Sequence, residues 1–253
     1  MGMRIAVGGK GGVGKTTLAA LIVRRLLKSG RTPVLAVDAD PNTNLPEAIG
    51  LPAETSIGAI LAQFIDEKIN IPQGMTKESF LQVKMNGAIA EGKGLDLVAM
   101  GRGEGPGCYC YPNLILRGFV DNLSGNYPYV VIDNEAGMEH LSRRTSERID
   151  RMVLVSDPTI RGIRSARRIR ELIEELKLDV DQISLVVMRA PEHLPAAVEN
   201  EIRGSGLRLA GTVPQEPLIQ EFDLAVRPLT ELPEDSPAVE AVDKILHTLG
   251  VLG

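Results

Sequence analysis

Gly8-Gly9-Lys10-Gly11-Gly12-Val13-Gly14-Lys15-Thr16-Thr17 is the stretch that decides the fold of this chain. An apolar run, Arg4-Ile5-Ala6-Val7, precedes it, and an apolar-periodic segment, Leu18 to Leu27, follows. Strand, glycine-rich turn and helix in that order form the context of a phosphate-binding loop, and Gly9 through Thr16 fit the pattern G-x-x-x-x-G-K-[ST]. Glycines let backbone N–H groups converge on phosphate oxygens, and a helix opening at the loop adds the positive end of its dipole. Gly11, Gly12, Val13, Gly14, Lys15, Thr16 and Thr17 are therefore the expected nucleotide-binding residues. Lys15 is expected to reach the β- and γ-phosphates, and the Thr16 hydroxyl to ligate Mg²⁺. The pattern predicts an α/β P-loop NTPase fold, one domain over residues 1–253, with a mostly parallel central sheet flanked by helices on both faces.

Two further strands bring carboxylates to this loop. Pro33 to Val37 reads as a buried strand that ends in Asp38-Ala39-Asp40-Pro41-Asn42. Tyr127 to Ile132 reads as a central strand that ends in Asp133, the form of a Walker B segment. Asp133 is expected to hold the Mg²⁺ hydration shell, with Asp38 beside it, so the magnesium set is Thr16, Asp38 and Asp133. Ordinary turn chemistry before a proline is the alternative for Asp38 and Asp40. Asn134-Glu135-Ala136-Gly137 would form the second switch, with Gly137 offering a backbone N–H to the γ-phosphate.

Strands are also expected over Gly94–Met100, Arg151–Ser156, Ile183–Val187 and Leu207–Val213. Helices are expected over Leu114–Leu123, Ile160–Leu176 and Ala238–Leu249. Ser56–Ile69 and Lys77–Ala90 read as two helices joined at Pro72-Gln73-Gly74, an insertion covering one sheet edge. The arginines and glutamates of Ile160–Leu176 read as a solvated amphipathic face.

Hydrophobic residues make up 43% of the chain and aromatics 3%, so the core must be aliphatic, as in a parallel sheet under helices. A net charge of -5 does not suggest general affinity for nucleic acid. No apolar run approaches a bilayer span, and the N-terminus enters the first strand without room for a signal peptide. Nucleic acid and membrane are therefore not expected as partners, and a reducing cytoplasm is the expected setting.

There the two cysteines read as metal-binding or catalytic. Cys108-Tyr109-Cys110 follows the glycine-rich loop Gly101–Gly107. Thiolates at i and i+2 of an extended segment can face one side and grip a soft ion, whereas a disulfide between them would be strained. One chain supplies two sulfurs where closed thiolate sites use four, and a two-fold dimer removes the shortfall. A coincidental pair of cysteines is the alternative.

The form Lys10-Gly11-Gly12-Val13-Gly14-Lys15-Thr16-Thr17 resembles the deviant phosphate loop of nucleotide-switched ATPases. That class includes the nitrogenase iron protein, arsenite-pump, partition and division-site ATPases. The resemblance implies that Lys10 crosses to the nucleotide of a second subunit and that Asp40, before the proline, orients the attacking water. The whole set looks like the carbon monoxide dehydrogenase accessory ATPases (CooC type): the two-lysine loop, Asp38–Asn42, Cys108-Tyr109-Cys110, Asp133–His140 and the Pro214 to Pro217 turn occur in this order. The likeness runs from Arg4 to Leu249. It implies an ATP-hydrolysing homodimer, with ATP or ADP and Mg²⁺, that binds one Ni²⁺ or Zn²⁺ through Cys108 and Cys110 of both subunits. The client would be carbon monoxide dehydrogenase or acetyl-CoA synthase. Lys10, Lys15 and Asp40 carry the catalytic roles.

Many such relatives end the strand at 183–187 with an adenine-reading asparagine; here it runs into Met188-Arg189. Base recognition is then expected from backbone contacts or from the turn at Pro214. An iron–sulfur reductase of the nitrogenase iron-protein kind is the nearest rival, but Ala136 stands where its second cluster cysteine would be. A partition or division-site switch without metal is the other. It predicts DNA or lipid binding, yet the last helix carries only Lys244 and His247 as basic candidates.

Overall fold

The computed structural model describes residues 2–66, 71–101, 118–136 and 148–252. Its frame is an eight-stranded sheet. The strands are β1 (Met3–Gly9), β2 (Val34–Ala39), β3 (Ala90–Gly92), β4 (Leu95–Ala99), β5 (Tyr129–Asn134), β6 (Ile149–Ser156), β7 (Val180–Ala190) and β8 (Arg208–Pro214). Their order is β3-β4-β2-β5-β1-β6-β7-β8, parallel throughout except for the antiparallel edge strand β3. The helices are α1 (Lys15–Lys28), α2 (Leu45–Ile49), α3 (Ile57–Asp66), α4 (Lys77–Asn86), α5 (Ile160–Glu175), α6 (Ala196–Ser205), α7 (Pro217–Leu224) and α8 (Pro237–Thr248), with a further helical turn set at 118–124. The expected fold class is the one observed: a single-domain α/β architecture with a mostly parallel sheet.

Strand periodicity explains how one sheet serves two cores. Along β1, β2 and β5 the residues Ile5, Val7, Ala36 and Val131 point to the face covered by α1 and α8. Their neighbours Ala6, Leu35, Val37, Val130 and Ile132 point to the other face, under α3, α4, α5 and α6. Both faces are buried, so the strands read as continuous Val/Ile/Leu/Ala runs without alternation of polarity.

Several sequence expectations need correction. The helix expected over Lys77–Ala90 stops at Asn86; Gly87 follows it, and Ala90 instead opens β3 against Leu97. The 55–90 segment does not simply cover an edge. Ile57 and Leu61 of α3 and Leu81 and Met85 of α4 join Leu35, Val37 and Val98 in the core of one face, while β3 completes the edge. The strand expected over Ile183–Val187 runs from Val180 to Ala190, because pairing with β6 extends it through the polar Asp181 and Gln182. Helices α2, α6 and α7 were not expected. Residues 67–69 of the first expected helix, and 114–117 of another, lie outside the described residues.

β1 sits near the middle of the sheet, between β5 and β6. The loop after it therefore opens at the C-terminal edge of the parallel strands, the usual ligand crevice of such sheets. Register brings the acidic residues to the same place: Val7 pairs with Asp133, and Asp38 pairs with Asp133.

Candidate nucleotide site

The loop between β1 and α1 is shaped by its glycines. A Cβ on Gly9 would stand 2.5 Å from the carbonyl oxygen of Val155, so only glycine lets β1 and β6 approach this closely. Gly14 is the N-cap of α1 with φ 99°, a left-handed conformation that glycine adopts without strain. α1 has no acidic residue in its first turn, so the positive end of its dipole is not offset by its own side chains. Lys10, Gly11 and Gly12 are exposed, whereas Val13 and Lys15 are buried. The Lys15 ammonium lies inside the curl of the loop and donates to the Lys10 carbonyl oxygen at 3.4 Å.

The two strand-end aspartates are held differently. Thr16 Oγ1 donates to Asp133 Oδ2 at 2.6 Å, joining the start of α1 to the end of β5. Asp133 Oδ1 is buried with no hydrogen-bond partner. Burial above all, and then the charges of Asp38 and Asp40, push the Asp133 carboxyl up to about 7, against the Thr16 hydrogen bond and the Lys15 charge. Asp38 is fully buried and accepts from the Asp40 N–H at 3.0 Å and the Leu45 N–H at 2.8 Å. Burial raises its carboxyl to about 6, although those two N–H bonds oppose the rise. Asp38 thus organises the turn that carries Asp40. Asp40 Oδ1 in turn accepts from the backbone N–H and side-chain amide of Asn42, both at 2.9 Å.

An orphaned, buried carboxylate oxygen beside a threonine hydroxyl is a donor set suited to a hard cation such as Mg²⁺. The residues present fit that ion. Among the described residues no cluster of three or more His, Cys, Asp or Glu side chains could hold a metal by itself. A partly protein-bound Mg²⁺ that keeps waters and phosphate ligands needs no such cluster. Asn134, the last residue of β5, donates to the Val7 carbonyl oxygen at 3.0 Å and so ties the segment expected to form the second switch to β1. Ala136 reaches the loop, 3.8 Å from where a Cβ on Gly11 would be. Gly137, His140, Cys108 and Cys110 lie outside the described residues.

From Gly14, Thr16 and Thr17 a cavity of about 500 Å³ runs between the ends of β7 and β8 and helix α7. Pro214, read from sequence as a base contact, lines it. So do Asn44, Glu47, Met188, Arg189, Ile219, Gln220, Asp223, Val226 and Arg227, most of which sequence reasoning missed. Met188 is buried and its side chain packs beside Gly14. Arg189 donates from Nη2 to the Gly12 carbonyl oxygen at 2.8 Å, tying β7 to the phosphate loop. Glu216 is committed to structure: its carboxylate accepts from Ser236 Oγ at 2.7 Å and the Ala238 N–H at 2.9 Å, capping α8. The volume is of the order that small-molecule sites use.

Residues 5–228 match the CobQ/CobB/MinD/ParA nucleotide-binding domain. The chain belongs to that family of P-loop ATPases. It is 42% identical to an uncharacterized ATP-binding protein of Methanocaldococcus jannaschii, over 98% of each chain. Identity to the carbon monoxide dehydrogenase accessory protein CooC of Rhodospirillum rubrum is 30%, over 88% of each chain. The structure of the MinD cell division protein of Aquifex aeolicus superposes with a TM-score of 0.72 at 24% identity, over 99% of this chain and 98% of that one. Family membership makes the chain a nucleotide-binding ATPase at the level of the family, and the matched residues include the glycine loop, Thr16 and Asp133. No described helix of this ATPase is long and apolar enough to cross a membrane.

Proposed function

We propose that residues 1–253 act as one ATP-hydrolysing switch that closes as a homodimer, and that its cargo is Ni²⁺ or Zn²⁺ for carbon monoxide dehydrogenase or acetyl-CoA synthase. One observation carries the ATPase reading: the Thr16–Asp133 hydrogen bond beside the unpartnered Asp133 Oδ1, at the mouth of a glycine-rich loop. The metal reading is supported by Cys108 and Cys110, the chain's only cysteines, and by the likeness to the accessory protein of R. rubrum.

In this reading the backbone of Gly11 to Thr17 cradles the phosphates and Lys15 balances their charge. Thr16 and Asp133 would hold Mg²⁺, with Asp38 behind them; when bound, that ion neutralises charge on the β- and γ-phosphate oxygens. Asp38 holds the 38–45 turn, and the turn presents Asp40 to orient the attacking water. Lys10, on the exposed side of the loop, reaches the nucleotide of the facing subunit. Pro214 bounds the base. Closure and hydrolysis change the spacing of the two cysteine pairs, and with it the affinity for the cargo. A reducing cytoplasm keeps these thiols available.

The family also embraces MinD and ParA, and a switch without metal cargo is the second reading. The variant Cys108→Ala/Cys110→Ala separates the two. Wild-type protein is expected to take up one Ni²⁺ or Zn²⁺ per two chains. The double variant should take up none while retaining most of its ATP hydrolysis. Equal metal uptake by both proteins, measured by equilibrium dialysis, would reject the cysteine site.

A further inference from the structure

Helix α7 ends in a two-bond turn. The Val226 N–H donates to the Asp223 carbonyl oxygen at 3.1 Å and the Arg227 N–H to that of Phe222 at 2.8 Å. The Arg227 guanidinium lies 4.1 Å from the centroid of the Phe222 ring. This is a Schellman arrangement, in which the residue after the C-cap is left-handed and is normally glycine. Here that residue is Val226, with φ +52°. A β-branched side chain in this region is a backbone outlier, because Cβ and its methyls crowd the adjoining carbonyl.

Packing within the protein does not offset the strain, since Val226 is 67% exposed. It lines the nucleotide cavity instead, as do Met188, Ile219 and Pro214. Arg189, also left-handed at φ +52°, lines the same cavity. Two of the four left-handed non-glycine residues among those described thus border one site. Strained backbone that collects at a ligand site is part of how the site is shaped.

We propose that Val226 positions the nucleobase: its backbone conformation holds the isopropyl group against the base, completing an apolar wall with Met188, Ile219 and Pro214. The inference rests on the nucleotide reading of this cavity. Nucleotide binding covers the exposed isopropyl group, and the base gains a contact that needs no side-chain amide at position 188.

The test compares wild type, Val226→Gly and Val226→Ala by calorimetry with Mg²⁺–ADP and with Mg²⁺–tripolyphosphate, which has phosphates but no base. Val226→Gly should relieve the strain and raise the melting temperature of the ligand-free protein by about 1–4 °C. It should weaken ADP binding roughly fivefold to tenfold, the worth of one apolar contact, and leave tripolyphosphate binding unchanged. Val226→Ala keeps a Cβ in the left-handed region but lacks the outer methyls, so it should lose the same ADP affinity with a smaller gain in melting temperature. Undiminished ADP affinity in both variants, or an equal loss for both ligands, overturns the role of Val226. Wild-type protein that binds neither ligand sinks the nucleotide reading itself, and the inference with it.

Discussion

Lys15→Ala is expected to lower ATP turnover by at least about a hundredfold, the usual loss when one preorganised charge donor is taken from a transition state. Lys15 is the first residue of α1, and its ammonium already lies within the loop, against the Lys10 carbonyl oxygen. Its charge is therefore held where phosphate oxygens would converge, at little cost in reorganisation when they arrive. Lys15→Arg should not rescue activity, because a planar guanidinium cannot take the place of a compact ammonium in so tight a curl. The fold should survive both changes, since the ammonium's hydrogen bond is to a carbonyl of the loop itself. Steady-state hydrolysis and Mg²⁺–ADP calorimetry on the two variants, beside circular dichroism of each, check the expectation. Turnover within a few-fold of wild type would remove Lys15 from the chemistry.

Asp133→Asn should have the second large effect, and its sign is opposite for stability and for activity. The native carboxyl titrates at about 7, well above its ordinary value of 3.8. Between those values the native state binds more protons than the unfolded chain. Its stability therefore falls as pH rises from about 4 to about 7, and the loss is complete above that. Asp38, raised to about 6, adds a loss of the same sign over the lower part of the window. An asparagine at 133 can still accept from Thr16 but carries no charge to desolvate. The ligand-free variant should be more stable than wild type at pH 8, by at most about 4 kcal/mol for a shift of this size, and nearly equal to it at pH 4. Mg²⁺-dependent hydrolysis should be lost, because the unpartnered oxygen no longer bears the charge a cation needs. Urea unfolding of both proteins at the two pH values measures the difference. The same gap at pH 4 and pH 8 would show that Asp133 is not the strained carboxylate.

The phosphate end of this site is legible in sequence because its chemistry demands contiguity. One loop must place several N–H groups, an ammonium and a hydroxyl around a small anion, and Gly9 to Thr17 offer all of these groups within one short stretch. Asp38 and Asp133 are legible for a related reason: each ends a buried apolar run, and a parallel register then aligns them. Nothing comparable marks the cavity proposed to take the nucleoside. Its wall is assembled from Asn44 and Glu47, from Met188 and Arg189, and from Pro214 onward through α7, so no short spacing records it. Two of its parts also look wrong in isolation. Helix α2 has five residues and a proline near its start, too short for periodicity to show. Val226 holds a position where turn chemistry would lead one to look for glycine. The edge strand β3 was hidden similarly, since three residues, two of them exposed, carry no strand pattern until β4 pairs with them. The cysteine pair is legible only as chemistry: its spacing suits a soft-metal grip, and in the proposed reading the second half of the coordination shell comes from another chain.

That second chain is the central claim, and the mass of the protein in solution tests it most directly. Light scattering with Mg²⁺ and a non-hydrolysable ATP analogue, in the presence of one equivalent of Zn²⁺ or Ni²⁺ per chain, should give the mass of two chains, falling toward one chain with Lys10→Ala. Single chains under every combination of nucleotide and metal would contradict the account.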